Sequence, residues 1–151
     1  MSAEYDQDLV AWSREQGQLL RMGQFAQLDI AHLAEEIEDL GKGERRALVS
    51  RLAVLLGHLL KWQYQPDSPY RKSWRATINT QRRAVAKLLD ENPSLRGQAD
   101  LLIAEAYPDA LDLAVAETPF DYEHFPGICP WTIEQILTAY WPGAEAGSPS
   151  C

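Results

Sequence analysis

Apolar positions recur every three or four residues along most of this 151-residue chain, and no segment alternates apolar and polar residues as a half-buried strand does. The spacing predicts an all-α, compact bundle of five to six helices. The first spans Asp6 to Met22, with Gly23 as its stop and an inward stripe of Leu9, Trp12, Gln16, Leu19 and Leu20. Gln16 lies within that stripe and so aims a polar group at the core. The second runs from an N-cap at Asp29 to Leu40, is ended by Gly41, and carries Ile30, Leu33, Ile37 and Leu40 on its apolar side. On a 3.6-residue wheel Glu36 borders this stripe while Glu35 and Asp39 point away, which makes Glu36 the candidate semi-buried acid.

The third helix, roughly Gly43 to Tyr64, is apolar around most of its circumference and is therefore the central, enclosed one, with Arg51, His58 and Trp62 along one side. Gln65 to Lys72, with Pro66 and Pro69, reads as a loop, and Ser73 as the cap of a fourth helix reaching about Asp90. The inward stripe there is Trp74, Ile78, Gln81, Val85 and Leu88, flanked by Arg75 and Arg82, with Lys72, Arg83 and Lys87 facing solvent. A fifth helix, Leu95 to Thr118, turns Leu102, Ile103, Ala106, Tyr107, Ala110 and Ala114 inward; Pro108 must kink or split it, and Glu117 returns to its inner face. After a loop from Asp121 to Pro130, a short helix covers Trp131 to Tyr140, and residues 143–151 read as a flexible tail behind a single domain of residues 1–142.

Composition supports one globular, foldable domain, with 46% hydrophobic and 24% charged residues. The net charge of -8 is unevenly spread: residues 1–40 carry nine acids and two bases, residues 41–100 five acids and twelve bases, and residues 101–151 eight acids and no Lys or Arg. Either the acidic flanks satisfy the basic middle within the fold, or the middle offers a basic face to an anion or nucleic acid. The first reading is favoured, because an acidic protein repels phosphate at long range. Two cysteines, Cys129 and Cys151, form no disulfide framework. The N-terminus lacks the basic and apolar regions of a secretory signal, and no apolar run approaches a membrane span, so the expected location is the cytoplasm.

The segments YDQDLVAW, LAEEIEDLG, SRLAVLLGHLLKW, SWRATINTQR and CPWTIEQIL, in this order and spacing, are familiar. Over nearly its whole length the chain resembles a bacterial family of uncharacterised proteins, the domain-of-unknown-function family 29. The resemblance implies an α-helical, bundle-like fold and brings no activity, substrate or cofactor with it.

Three constellations could carry function. Gln16, Glu36, His58, Gln81 and Glu117 would place a carboxylate beside an imidazole in an apolar bundle, which suits an acid/base pair or, equally, a hydrogen-bond network that fixes helix register. The structural role is favoured, since no Glu-x-x-His pair accompanies them and no metal or cofactor is called for. Trp62, Tyr70, Arg71, Lys72, Trp74 and Arg75 surround the loop before the fourth helix, where rings beside guanidinium groups could receive a ligand or partner. Cys129, if Pro130 opens the last helix, would sit at its N-cap with a lowered thiol pKa, and His124 is five residues away; a buried, inert thiol is the favoured alternative. The leading expectation is a non-catalytic binding or regulatory module that engages a protein or an anionic ligand, with nucleic acid a lesser candidate and no membrane role. The alternative is an enzyme, hydrolytic or metal-assisted, built on Glu36 and His58.

Overall fold

The computed structural model describes residues 3–143, which contain five α-helices and no strand. These are α1 (Leu9–Arg21), α2 (Ile30–Tyr64), α3 (Arg71–Glu91), α4 (Ala99–Glu117) and α5 (Ile133–Leu137), joined by single 3-10 segments at Phe25–Gln27, Pro93–Gln98 and Tyr122–His124. None of these helices is long and apolar enough to cross a membrane. The backbone packs as two compact units, Met1–Gly43 and Glu44–Cys151, and the boundary falls inside α2. The predicted tail from residue 144 onward, Cys151 included, lies outside the described residues.

The second and third helices of the sequence reading are one 35-residue helix. Gly41 and Gly43 each disfavour a helix by about 1 kcal/mol relative to Ala, which weakens but does not stop it. A glycine stop needs the left-handed backbone, and among the described glycines positive φ occurs only at Gly23 and Gly143. Gly23 accordingly does close α1, as its place after the last periodic residue predicts.

In the first unit, Asp8 caps α1 by accepting from the Ala11 amide, and Trp12, Gln16 and Leu19 form its buried side. Leu9 and Leu20, expected on that stripe, are exposed. The opening turns of α2 reverse the expected orientation. Asp29 and Glu36 bond inward to α1 and the N-terminal segment and His32 stacks on Tyr5, while Ile30, Ile37 and Leu40 face water.

The second unit is built on the later part of α2, where Leu48, Leu52, Leu55, Leu56, Leu59 and Leu60 are all buried. Helix α3 contributes Trp74, Ile78, Val85 and Leu89, and α4 contributes Leu102, Ile103, Ala106, Tyr107, Ala110 and Ala114. Pro108 lies on the exposed side of α4, which passes through it as a single helix rather than splitting. Gly57 brings the α2 backbone against α4: a Cβ there would stand 2.4 Å from Leu113 Cδ2 and 3.2 Å from the Ala110 carbonyl oxygen. The last helix is shorter than predicted, with Thr132 and Gln135 forming a reciprocal capping box at its start.

Candidate functional site

The polar residues expected to form one set are divided among separate partnerships. Gln16 is buried, and its Oε1 accepts from the Asp29 amide at 2.8 Å. Glu36 accepts from the Tyr5 hydroxyl, which pushes the Tyr5 pKa up to about 12. His58 lies 22 residues further along α2, in the other unit, and bonds to neither Glu36 nor Gln81. Gln81 instead accepts a long 3.4 Å contact from Arg51. Glu36 and His58 thus each have a partner within their own unit.

Two members of that set, His58 and Glu117, do share a cluster, joined through Lys61, which the sequence reading had left out. Lys61, one turn on, is 1% exposed, the most buried charge in the described chain. Its ammonium donates to Glu117 Oε1 at 2.5 Å, stands 3.4 Å from His58 Nε2, and lies 5.0 Å from the centre of the Trp74 ring. His58 Nδ1 is 2.9 Å from the Val54 carbonyl, an acceptor only, so that nitrogen carries the proton and Nε2 offers its lone pair to Lys61. Burial holds the imidazole pKa below its ordinary value, and the neighbouring ammonium adds to this, which keeps His58 neutral at pH 7. Three donors thus meet a carboxylate, an imidazole and a π face, tying α2 to α3 and α4. The available signal was the His-x-x-Lys spacing inside an all-round apolar helix, which forces a lysine into the core.

The basic-aromatic edge is likewise redistributed. Arg71 lies 3.6 Å over the Trp62 ring and donates to the Trp62 and Gln65 carbonyls at 2.6 and 3.3 Å, closing the C-terminal end of α2. Trp62 also packs on Trp141, and Trp74 is buried. Tyr70, Lys72 and Arg75 are exposed. Arg82 is buried, not a flank: it donates to the Ile136, Gln135 and Tyr140 carbonyls, has no carboxylate partner among the described residues, and burial pushes its pKa down to about 10. It remains a cation at neutral pH.

Beside these groups opens a cleft of about 510 Å³ at the junction of α2 and α3, reaching the end of α4. Tyr64, Tyr70, Trp74 and Phe120 supply aromatic walls, and Asp67 and Glu117 supply carboxylates. None of its ten lining residues is Lys or Arg. Behind Tyr64, His124 stacks on Phe120 with ring centres 3.9 Å apart and meets Tyr64 edge-on.

A second cavity, about 380 Å³, is lined mainly by apolar side chains of α4 together with Cys129 and Trp131. Cys129 is not at a helix N-terminus: α5 begins at Ile133 and Thr132 is its cap, because the capping box selects that start over Pro130. Burial raises the Cys129 pKa, and the thiol contacts the Trp131 carbonyl, so it is an un-ionised side chain of the wall.

In the first unit a further pair escaped the sequence reading. His32 Nδ1 bonds to Asp29 Oδ2 at 2.7 Å, the Trp12 indole donates to the same oxygen at 3.0 Å, and Tyr5 stacks on the imidazole at 4.0 Å. The signal was Asp-x-x-His at a helix start, where an N-cap acid faces the residue one turn on. Among the described residues no group of three His, Cys, Asp or Glu side chains is placed to hold a metal ion. The chain matches the family described as Domain of unknown function DUF29 over residues 4–142. No curated protein and no solved structure matches it.

Proposed function

The chain belongs to the DUF29 family, which carries no assigned activity, and from that premise we propose that it is a non-catalytic binding module whose cleft receives an amine or quaternary ammonium group borne on an apolar body. The supporting observation is the lining: four aromatic rings, no basic side chain, and two carboxylates, of which Glu117 already holds Lys61 and Asp67 is left at the rim. Ring faces attract a desolvated cation through their quadrupoles, and a carboxylate at the rim fixes its position. A lysine side chain of a protein partner and a free small amine share this chemistry. The anionic ligand that the sequence offered beside a protein partner has less support at this cleft, because Arg71 is drawn onto the α2 carbonyls and neither Lys72 nor Arg75 is among the lining residues. Non-catalytic binding is favoured because the groups with catalytic chemistry are already engaged within the chain: Lys61 has three partners and His58 bonds through both nitrogens.

The test is an NMR titration that follows the Trp74 indole with N-acetyl-trimethyllysine amide, tetramethylammonium and butyrate. Saturable shifts with the two cations, weakened about tenfold or more by Asp67→Asn or Tyr70→Ala, are expected. A lysine-bearing protein partner predicts the amide binds more tightly than the bare cation; equal affinity points to a small amine. Response to butyrate alone, or to none of the three, overturns the proposal.

A further inference from the structure

We propose that the outward side of the first three turns of α2 docks a basic amphipathic helix of another protein. Ile30, Leu33, Ile37 and Leu40 follow each other at intervals of three, four and three residues, the seam spacing that one helix presents to another. Ile30, Ile37 and Leu40 are 68%, 65% and 71% exposed. In an ordinary surface helix this stripe would be the buried one. Here the polar side is used inward instead: Asp29 receives Trp12 and the Gln16 carbonyl holds its amide, His32 stacks under Tyr5, and Glu36 accepts from the Tyr5 hydroxyl. Those bonds lock the rotation of the helix, so the apolar stripe cannot turn in to bury itself. A stripe held outward by a specific polar network marks an interaction surface rather than scattered exposed residues.

Charge selects the occupant. From Asp29 to Leu40 the segment has no Lys or Arg; of its five acids Asp29 and Glu36 are engaged inward, and Glu35, Glu38 and Asp39 are exposed. A helix flanked by Lys and Arg is attracted and correctly steered, whereas a second copy of this segment would bring acids against acids, and an anionic lipid surface would be repelled. The stripe is about 15 Å long at 1.5 Å per residue, which matches about three turns of a partner helix.

The observation is independent of the cleft, and so is its test. Two synthetic helical peptides share one leucine seam, one flanked by lysines and the other by glutamates, and a scrambled lysine peptide controls for bulk charge. The lysine-flanked helix is expected to bind the full chain with an affinity that falls as salt rises. Ile37→Ser/Leu40→Ser should weaken it at least tenfold while leaving charge and thermal unfolding unchanged, and Tyr70→Ala should leave it untouched. Binding that survives the double serine substitution, or equal binding of the scrambled peptide, overturns the proposal. So does a concentration-dependent dimer in sedimentation that the same serines abolish, or binding to anionic vesicles in preference to the peptide.

Discussion

Lys61 and Glu117 meet at 2.5 Å, yet the ammonium is 1% exposed and the carboxylate 49%. The two ends of this ion pair therefore face different solvents, and they do not respond alike to substitution. Removing the carboxylate leaves a buried cation on a neutral imidazole and a ring; removing the lysine leaves an acid that water can reach. Glu117→Ala is expected to cost about 2 kcal/mol, below the usual figure for a broken buried pair because water screens the exposed end. Lys61→Met should cost less, and Lys61→Met/Glu117→Ala should be no worse than Lys61→Met alone. Urea unfolding of the three variants measures this, and simple additivity would show that the two groups do not interact.

The pKa values of His58 and His32 are displaced in opposite directions. Burial lowers the His58 pKa from 6.5, so the unfolded chain takes up the proton first; its contribution is intact above about pH 6.5 and is lost as pH falls toward the folded value. The bond to Asp29 raises the His32 pKa above 6.5, so the folded chain holds the proton longer; its contribution is full below about pH 6.5 and is lost as pH rises through the folded value. An NMR titration of the imidazole protons should place His58 below and His32 above free histidine. Asp29→Asn should return His32 toward the free value and leave His58 in place, and movement of both would contradict the separate environments described.

Arg82 holds α5 and the residues just after it by three carbonyl contacts that only a forked guanidinium can make together. Arg82→Lys keeps the charge but not the fork, and is expected to destabilise by about 2 kcal/mol, in the range of charge-assisted hydrogen bonds. Hydrogen exchange should accelerate first at the Gln135 and Ile136 amides, whose acceptors are Thr132 groups. Unchanged protection there would mean that α5 is held by its apolar contacts alone.

Gly57 sits against Leu113 and the Ala110 carbonyl of α4, and alanine there gains about 1 kcal/mol of helix propensity. The clash with Leu113 and the Ala110 carbonyl outweighs it, since overpacking a tight contact costs about 1 to 3 kcal/mol. Gly57→Ala should be net destabilising by about 1 kcal/mol, and Leu113→Ala in the same chain should recover part of the loss. A lone Gly57→Ala that raises the melting temperature would show that Leu113 moves aside freely.

Local chemistry made much of the chain legible. The three-to-four spacing placed α1, α3 and α4, and Trp12, Ile78, Val85, Leu102 and Ala106 are buried as it required. Gln16, a polar residue within a stripe, is indeed enclosed and bonded. Pro66 and Pro69 separate α2 from α3 as proline must. By contrast, the break at Gly41 did not occur, and Ile30, Ile37 and Leu40 of the second-helix stripe face water while Leu33 is half-buried. The acid expected beside His58 bonds to Tyr5 instead.

These differences share a cause. The sequence by itself determined that this chain is helical, which side of each helix is apolar, and the family to which it belongs, because propensity, periodicity and capping act within a few residues. Tertiary structure alone decided which apolar sides are covered, that Lys61 meets a carboxylate 56 residues away, and that Arg71 and Arg82 turn to backbone carbonyls rather than outward. A periodic stripe records only that a helix has an apolar side. Whether that side is buried depends on what packs across it, and a glycine worth about 1 kcal/mol cannot end a helix whose neighbouring turns are held by contacts worth more.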